Sequence, residues 1–390
     1  MSDPRAFPRG RRPRSSAGRA ALACALSALA LSSCAQRATP VGAAPLPSPP
    51  LAVTVATPEA TWTTVKVGAY WELLRRPRKG STWSLATPPG VDDGGGLVLA
   101  GAPDGSLTVG FRPTDLLRFS PLEATGDGGR TWSQGLLPGG LANGADTLSS
   151  GPGGRAWALL QEGGGEVVAR SSPGSPWRRV VSAGSLRSEP VASPCGVEAI
   201  SSVLLPPSGS GLVAAVCDRP GTAGIFAEAA GAWRAAGPQL PPVLRTAMVR
   251  VVRVTATGGG LVALLLVRSA AGASIIAAWG SSGATDWRLS APLPLGTGTP
   301  PRLLEAAIDP QGAGYVLLGA AGHRLALARA TRASATWQGI PPPPGSVTSV
   351  AIDGERIDAF QPRRGSILDW RLDAAAGVWR EAASIRMPFS

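Results

Sequence analysis

A chain of 390 residues with 37 Lys and Arg against 25 Asp and Glu, formally +12, has room for two or three ordinary domains or for one closed repeat architecture. Its 51 Gly and 38 Pro approach low-complexity levels, but 44% hydrophobic residues and 12 Trp exclude disorder, and no Lys/Arg run interleaved with aromatics speaks for nucleic acid. One histidine, His323, and no Cys/His cluster of zinc spacing leave no zinc pattern, and no cofactor-binding motif is present: GDGG and GGGL are turns without a following helix.

The amino terminus comes first. Arg5, Arg9, Arg11, Arg12, Arg14 and Arg19 form a basic region, Ala20 to Leu31 an apolar one, and Leu31-Ser-Ser-Cys34 follows. The apolar run is well short of the roughly 18 residues that suggest a membrane-spanning helix. This order resembles a bacterial lipoprotein signal. The resemblance implies that residues 1–33 are removed and that Cys34 carries lipid on the outer face of the cell membrane. An ordinary secretory signal with an incidental Cys stays open, as does the export route, because Arg11-Arg12 is followed by Pro13 and Arg14 where a twin-arginine signal has apolar residues. Without residues 1–33 the charge is 31 basic against 24 acidic, or +7. Cys24 leaves with the signal. Cys195 and Cys217 remain, and outside the cytoplasm such a pair is expected to form a disulfide.

Residues 34–50, with Cys34 followed by AQRATPVGAAPLPSPP, have the composition of a tether with polyproline character. From residue 51 to 390 the same unit reads seven times: short apolar strand, Gly/Pro/Asp turn, second strand, variable loop, third strand, then a turn into a strand beginning at Trp. The Trp markers are Trp83, Trp132, Trp177, Trp233, Trp287, Trp337 and Trp379, spaced from about 42 to 56 residues apart. The first-to-second strand turns begin at Thr57, Pro103, Gly151, Pro207, Thr257, Asp309 and Asp353, at a nearly constant distance before each Trp. Four-stranded units that cannot bury both faces alone predict an all-β β-propeller of seven blades, or six if Leu51 to Ala86 is only a partial unit.

The best-kept fourth-strand turn, Thr125-Gly-Asp-Gly-Gly-Arg-Thr-Trp132, resembles the Asp-box of sialidases and sortilin-type receptors. Asp127 suits acceptance from N–H groups of its own turn, Gly129 supplies positive φ, together with Gly126 or Gly128, Thr131 adds a hydroxyl and Trp132 a large apolar surface. One Asp with no second carboxylate is too few ligands for calcium. Trp persists in all seven units while the polar members decay, so the turn reads as a structural staple. In the families it resembles, it lies away from the catalytic face.

A sialidase-like glycoside hydrolase is the alternative function class. That chemistry uses an arginine triad, a Tyr/Glu pair and an Asp; here Tyr70 and Tyr315 are the tyrosines, and Phe111-Arg-Pro113 resembles the family's FRIP motif without its Ile. The favoured class is a binding or assembly scaffold, a monomer tethered to the membrane by its lipid. If first strands run from top to bottom, the second-to-third strand loops return to the top with Arg112, Asp115, Glu162, Asp218, Arg219, Arg268, His323, Arg363 and Arg364. Arginine suits carboxylates and phosphates. The expected ligand-binding rim is therefore Arg112, Arg219, Arg268, Arg363 and Arg364, for an anionic glycan or envelope protein. On the same register Cys195 and Cys217 face each other at the top, within about 7 Å between Cα atoms.

Overall fold

The computed structural model describes residues 52–88, 94–112, 119–163, 165–207, 210–281, 283, 286–295, 301–319 and 325–387. Cys34, Asp115 and His323 lie outside these residues. Seven antiparallel four-stranded sheets follow one another along the chain, each with its strands in sequence order. Two carry a short extra strand, Gly140–Leu141 in blade 3 and Leu293–Pro294 in blade 5. The seven first strands, from Thr54–Ala56 in blade 1 to Ser349–Asp353 in blade 7, each contact the next, and the seventh contacts the first. The ring is thus closed: this is a seven-bladed β-propeller.

Both sequence markers fall where the repeat requires. Each Trp of the series stands at or within two residues of the start of a fourth strand, as Trp287 does in Trp287–Leu289 and Trp337 in Trp337–Ile340. Each Gly/Pro/Asp turn joins a first strand to a second. Blade 1 is complete, because Gly68 takes φ +63 and lets Ala60–Val67 turn directly into Tyr70–Pro77.

The core lies between blades. Second and third strands carry continuous apolar runs, such as Gly260–Ser269 with its buried Leu264 and Leu265, because both of their faces pack on neighbouring sheets. The fourth strand of blade 2, Ser133–Leu136, is exposed throughout. A short α-helix, Ala183–Ser188, interrupts the pattern between blades 3 and 4. Ser182 and Ser185 cap it reciprocally, each hydroxyl accepting from the other's backbone N–H.

Among the described residues the first and last blades each take all their strands from their own end of the chain, and side chains join them. Blade 1 supplies Val65, Leu74 and Trp83, which pack with Phe360, Ile367 and Ile385 of blade 7, and the Trp83 and Phe360 rings meet edge-on at 5.2 Å. Arg76 and Arg78 of blade 1 pair with Asp353 of blade 7, and Arg76 also pairs with Asp358. Burial would raise Asp353, but hydrogen bonds from Arg78 and Thr61 and the nearby guanidiniums bring it below the usual carboxylate range.

Candidate functional site

The Thr125–Trp132 turn is built by its own side chains. Asp127 Oδ1 accepts from the Arg130 and Thr131 N–H groups at 2.9 and 3.0 Å, and its Oδ2 accepts from the Thr131 hydroxyl at 2.7 Å. The Thr131 backbone and hydroxyl bonds hold this exposed carboxylate far below its ordinary pKa. Gly128 and Gly129 take φ +74 and +85, so the two adjacent glycines carry the positive φ and Gly126 does not. Trp132 meets Trp62 of blade 1 edge-on at 6.2 Å, while Arg75 lies over the Trp62 ring. Every donor on Asp127 belongs to its own turn, and the surrounding rings join blade 2 to blade 1.

The cysteines meet as the strand register requires. Cys195 lies before Val197–Leu204, the first strand of blade 4, and Cys217 ends the second, Leu212–Cys217. They form a buried disulfide with Cα atoms 4.8 Å apart. The bond braces the loop that carries Arg219. Asp218 and Arg219 donate their N–H groups to the Gly196 and Cys195 carbonyls, and Arg219 Nη1 donates to Ser193 O at 2.7 Å. Gly196, at φ +59, is needed here, because a Cβ would fall 1.8 Å from Asp218 Oδ1.

The five arginines of the expected rim do not form one cluster. Arg112 is a correction: only 2% exposed, it donates to the Gly144 carbonyl, and its Nε and Nη1 are buried without a partner among the described residues. Burial pulls its pKa down to about 10. It follows directly after Phe111, the last residue of a core strand, and is drawn in with it. Arg363 and Arg364 are exposed on blade 7, where Arg363 donates to Gln361, and blade 6 separates them from blade 5. Glu162 is occupied by Arg179 at 2.5 Å.

Arg219 and Arg268 lie on the two sides of the blade 4–blade 5 boundary. Gly221 in the Arg219 loop donates to Ala247, and Arg268 stands opposite Met248, the first residue of blade 5's first strand. The structure adds Arg250 on that same strand, half-buried beside Arg268. Burial and then the Arg268 charge pull Arg250 down, and Glu198 offsets part of this. Arg250 lies inside RVVRVTAT, which reads in the sequence only as a strand. The alternation of Arg250 with apolar neighbours is the one signal that could have marked it.

Tyr315 is a core residue. It is 1% exposed, its hydroxyl donates to Asp309 Oδ2 at 3.3 Å, and burial followed by the Asp309 charge pushes its pKa far up. This is the reverse of what activates a phenol as a nucleophile.

A further polar group links blade 3 to blade 5, and no local pattern in the sequence marks it. Asp146, just ahead of blade 3's first strand, accepts from Arg253 Nε and Val254 N of blade 5 at 3.0 and 3.1 Å. Blade 4 separates those blades around the ring, so the link runs through the channel. Arg253 Nη1 continues to the Ala306 carbonyl of blade 6, and Glu305 Oε2 accepts from Val350 N of blade 7. Burial lifts Glu305 to about 8 and also raises Asp146, whose nearest opposing charge is Arg253.

No family model and no curated protein sequence matches this chain. Solved structures do resemble it. A GH74 xyloglucanase from Xanthomonas campestris matches with TM-score 0.55 and 16% identity over 80% of this chain and 50% of its own, so this chain spans about half its length. A putative 6-phosphogluconolactonase from Bacteroides uniformis matches with TM-score 0.52 and 14% identity over 86% of this chain and 96% of its own. Its counterpart from Bacteroides fragilis gives 0.52 and 14%, over 86% and 95%. At these identities the likeness is one of fold, and it agrees with the geometry: the chain folds as a seven-bladed β-propeller.

Proposed function

We propose that this chain is an exported binding propeller, tethered to the membrane through lipid on Cys34, whose ligand is an anionic glycan or an acidic surface of an envelope protein. The observation that carries the reading is the Arg250–Arg268 juxtaposition. Arg250 is half-buried and stands two residues from the one paired with Arg268 on the adjacent strand, and guanidiniums so placed suit a carboxylate or sulfate. Arg219, fixed by the disulfide-braced loop, extends the same positive edge. Two or three acyl chains would hold the chain stably at the membrane, where a single chain is marginal. The Asp-box resemblance supports the scaffold reading, since that turn serves packing alone.

The test is salt-dependent binding of the purified chain to acidic cell-envelope polymers. Replacing Arg219, Arg250 and Arg268 together with Ala is expected to weaken binding at least tenfold. Replacing Arg363 and Arg364 should cost far less. Equal binding by the wild type and the triple variant discards the reading. Loss of membrane association on Cys34→Ala tests the tether separately.

A further inference from the structure

The Asp146–Arg253 pair lines a cup at one end of the ring of first strands. A cavity of about 450 Å³ lies between the ends of the first strands and opens among the first-to-second strand turns, where Pro58, Pro103, Pro152, Pro207 and Pro310 stand around it. This is the end that also carries the Thr125–Trp132 turn, opposite the arginine edge. The volume falls in the range that holds small molecules.

Its lining restricts what fits. Arg253 and Asp146 both line the cavity and keep 9% and 12% of their side-chain surface exposed. Both oxygens of Asp146 lie at 2.9 to 3.0 Å from Arg253 Nε, so Asp146 cancels the charge without taking up the rest of the guanidinium's donors. Nη1 bonds Ala306, and Nη2 has no partner among the described residues and is not buried away from solvent. Thr255 lies two residues along the same strand, on the same face, and its hydroxyl likewise has no partner among the described residues. An anion would meet the Asp146 and Asp309 carboxylates and a cation the Arg253 guanidinium, so a neutral ligand suffers least. Val55, Leu99, Leu148 and Leu204 line the walls, and none of the cavity's residues is aromatic, which favours a saturated frame over a stacked ring.

We propose that this cup binds a small neutral molecule with a carbonyl-type acceptor on a saturated aliphatic frame, the acceptor taking hydrogen bonds from Arg253 Nη2 and Thr255 Oγ1. Such a ligand fills donors left by the Asp146–Arg253 pair and places carbon against carbon elsewhere. The site is independent of the arginine edge at the other end of the ring.

A matched set of probes tests it: 2-pyrrolidinone, butyrate and butylamine, titrated into the full chain while the Val254 and Thr255 backbone amides are followed by NMR. The expected result is saturable binding of 2-pyrrolidinone with a dissociation constant on the order of millimolar, as a six-atom ligand allows. Butyrate and butylamine should bind at least tenfold more weakly. Thr255→Val should weaken the lactam about fivefold, the value of one hydrogen bond. Arg253→Lys, which keeps the charge opposite Asp146 but removes Nη2, should weaken it at least as much. Shifts that grow linearly through tens of millimolar, equal affinity for the butyrate ion, or an unaltered constant in both variants would each overturn the proposal.

Discussion

Arg76 Nη1 lies 3.1 Å from Asp358 Oδ2, although 282 residues separate them, and neither side chain exposes more than 5% of its surface. The pair joins the first blade to the last. Asp358 also accepts from Trp83 Nε1, Arg356 Nε and Arg371 Nε, so donors from both sides of the seam converge on one carboxylate. Burial and the Arg356 charge pull the Arg76 pKa down, against the pull of Asp358 and Asp353.

Removing Asp358 leaves Arg76 buried among Arg356 and Arg371 with one of its two carboxylate partners gone. Breaking a buried pair from one side costs about 3–5 kcal/mol. Asp358→Ala should lower unfolding stability by that order in a urea titration, whereas Arg78→Ala, at the exposed rim of the same network, should cost less than about 1 kcal/mol. Equal losses would mean that the seam is held by its apolar cluster alone.

Two buried carboxyls set the pH dependence. Asp369 is fully buried, neither oxygen accepts a hydrogen bond among the described residues, and burial together with the Asp358 charge pushes it up to about 7; Glu305 is pushed up to about 8. Both folded values lie above the ordinary carboxylate range. Their contribution is therefore complete below the unfolded values and is lost as pH rises through 7 and 8. Each group should lower stability by about 1.4 kcal/mol per pH unit across its window. Denaturation between about pH 5 and pH 9 should show this fall. Asp369→Asn and Glu305→Gln, which mimic the protonated forms, should each flatten it.

Trp62 and Trp132 tie blade 1 to blade 2 through an edge-to-face contact, and Gly129 admits it, since a Cβ there would sit 3.0 Å from Trp62 Cη2. Such a pair is worth roughly 0.5–1.5 kcal/mol beyond area burial. A double-mutant cycle with Trp62→Leu and Trp132→Leu should return a coupling of that size. A coupling of zero would show that the turn acts on its own blade only.

What the sequence made legible was whatever recurs. Trp and turn residues returned in one phase because every blade has to solve the same packing problem, and the strand register then brought Cys195 and Cys217 together. The Arg76–Asp358 seam and the Asp146–Arg253 crossing occur once each, between residues far apart in the chain, and no local pattern marks them. Arg112 shows the opposite difficulty: a charged residue after a core strand looks like a rim residue, and only the packing around Gly144 shows that it points inward. Arg250 was hidden inside a run whose apolar members announced a strand.

Cys195 and Cys217 stand 22 positions apart in the chain, and closing a loop of that length in the unfolded state is worth about 3 kcal/mol by the chain-entropy account. Replacing both with Ala should lower stability by that order, and the change should concentrate where the bond braces the structure, in the loops bearing Gly196, Asp218 and Arg219. Hydrogen exchange at the Asp218 and Arg219 amides, which bond to Gly196 and Cys195, should speed up more than exchange in blade 1. Because Arg219 then loses its fixed position, binding of acidic polymers should weaken in the same variant. A stability loss with unchanged binding would leave the disulfide a purely structural brace and remove Arg219 from the arginine edge.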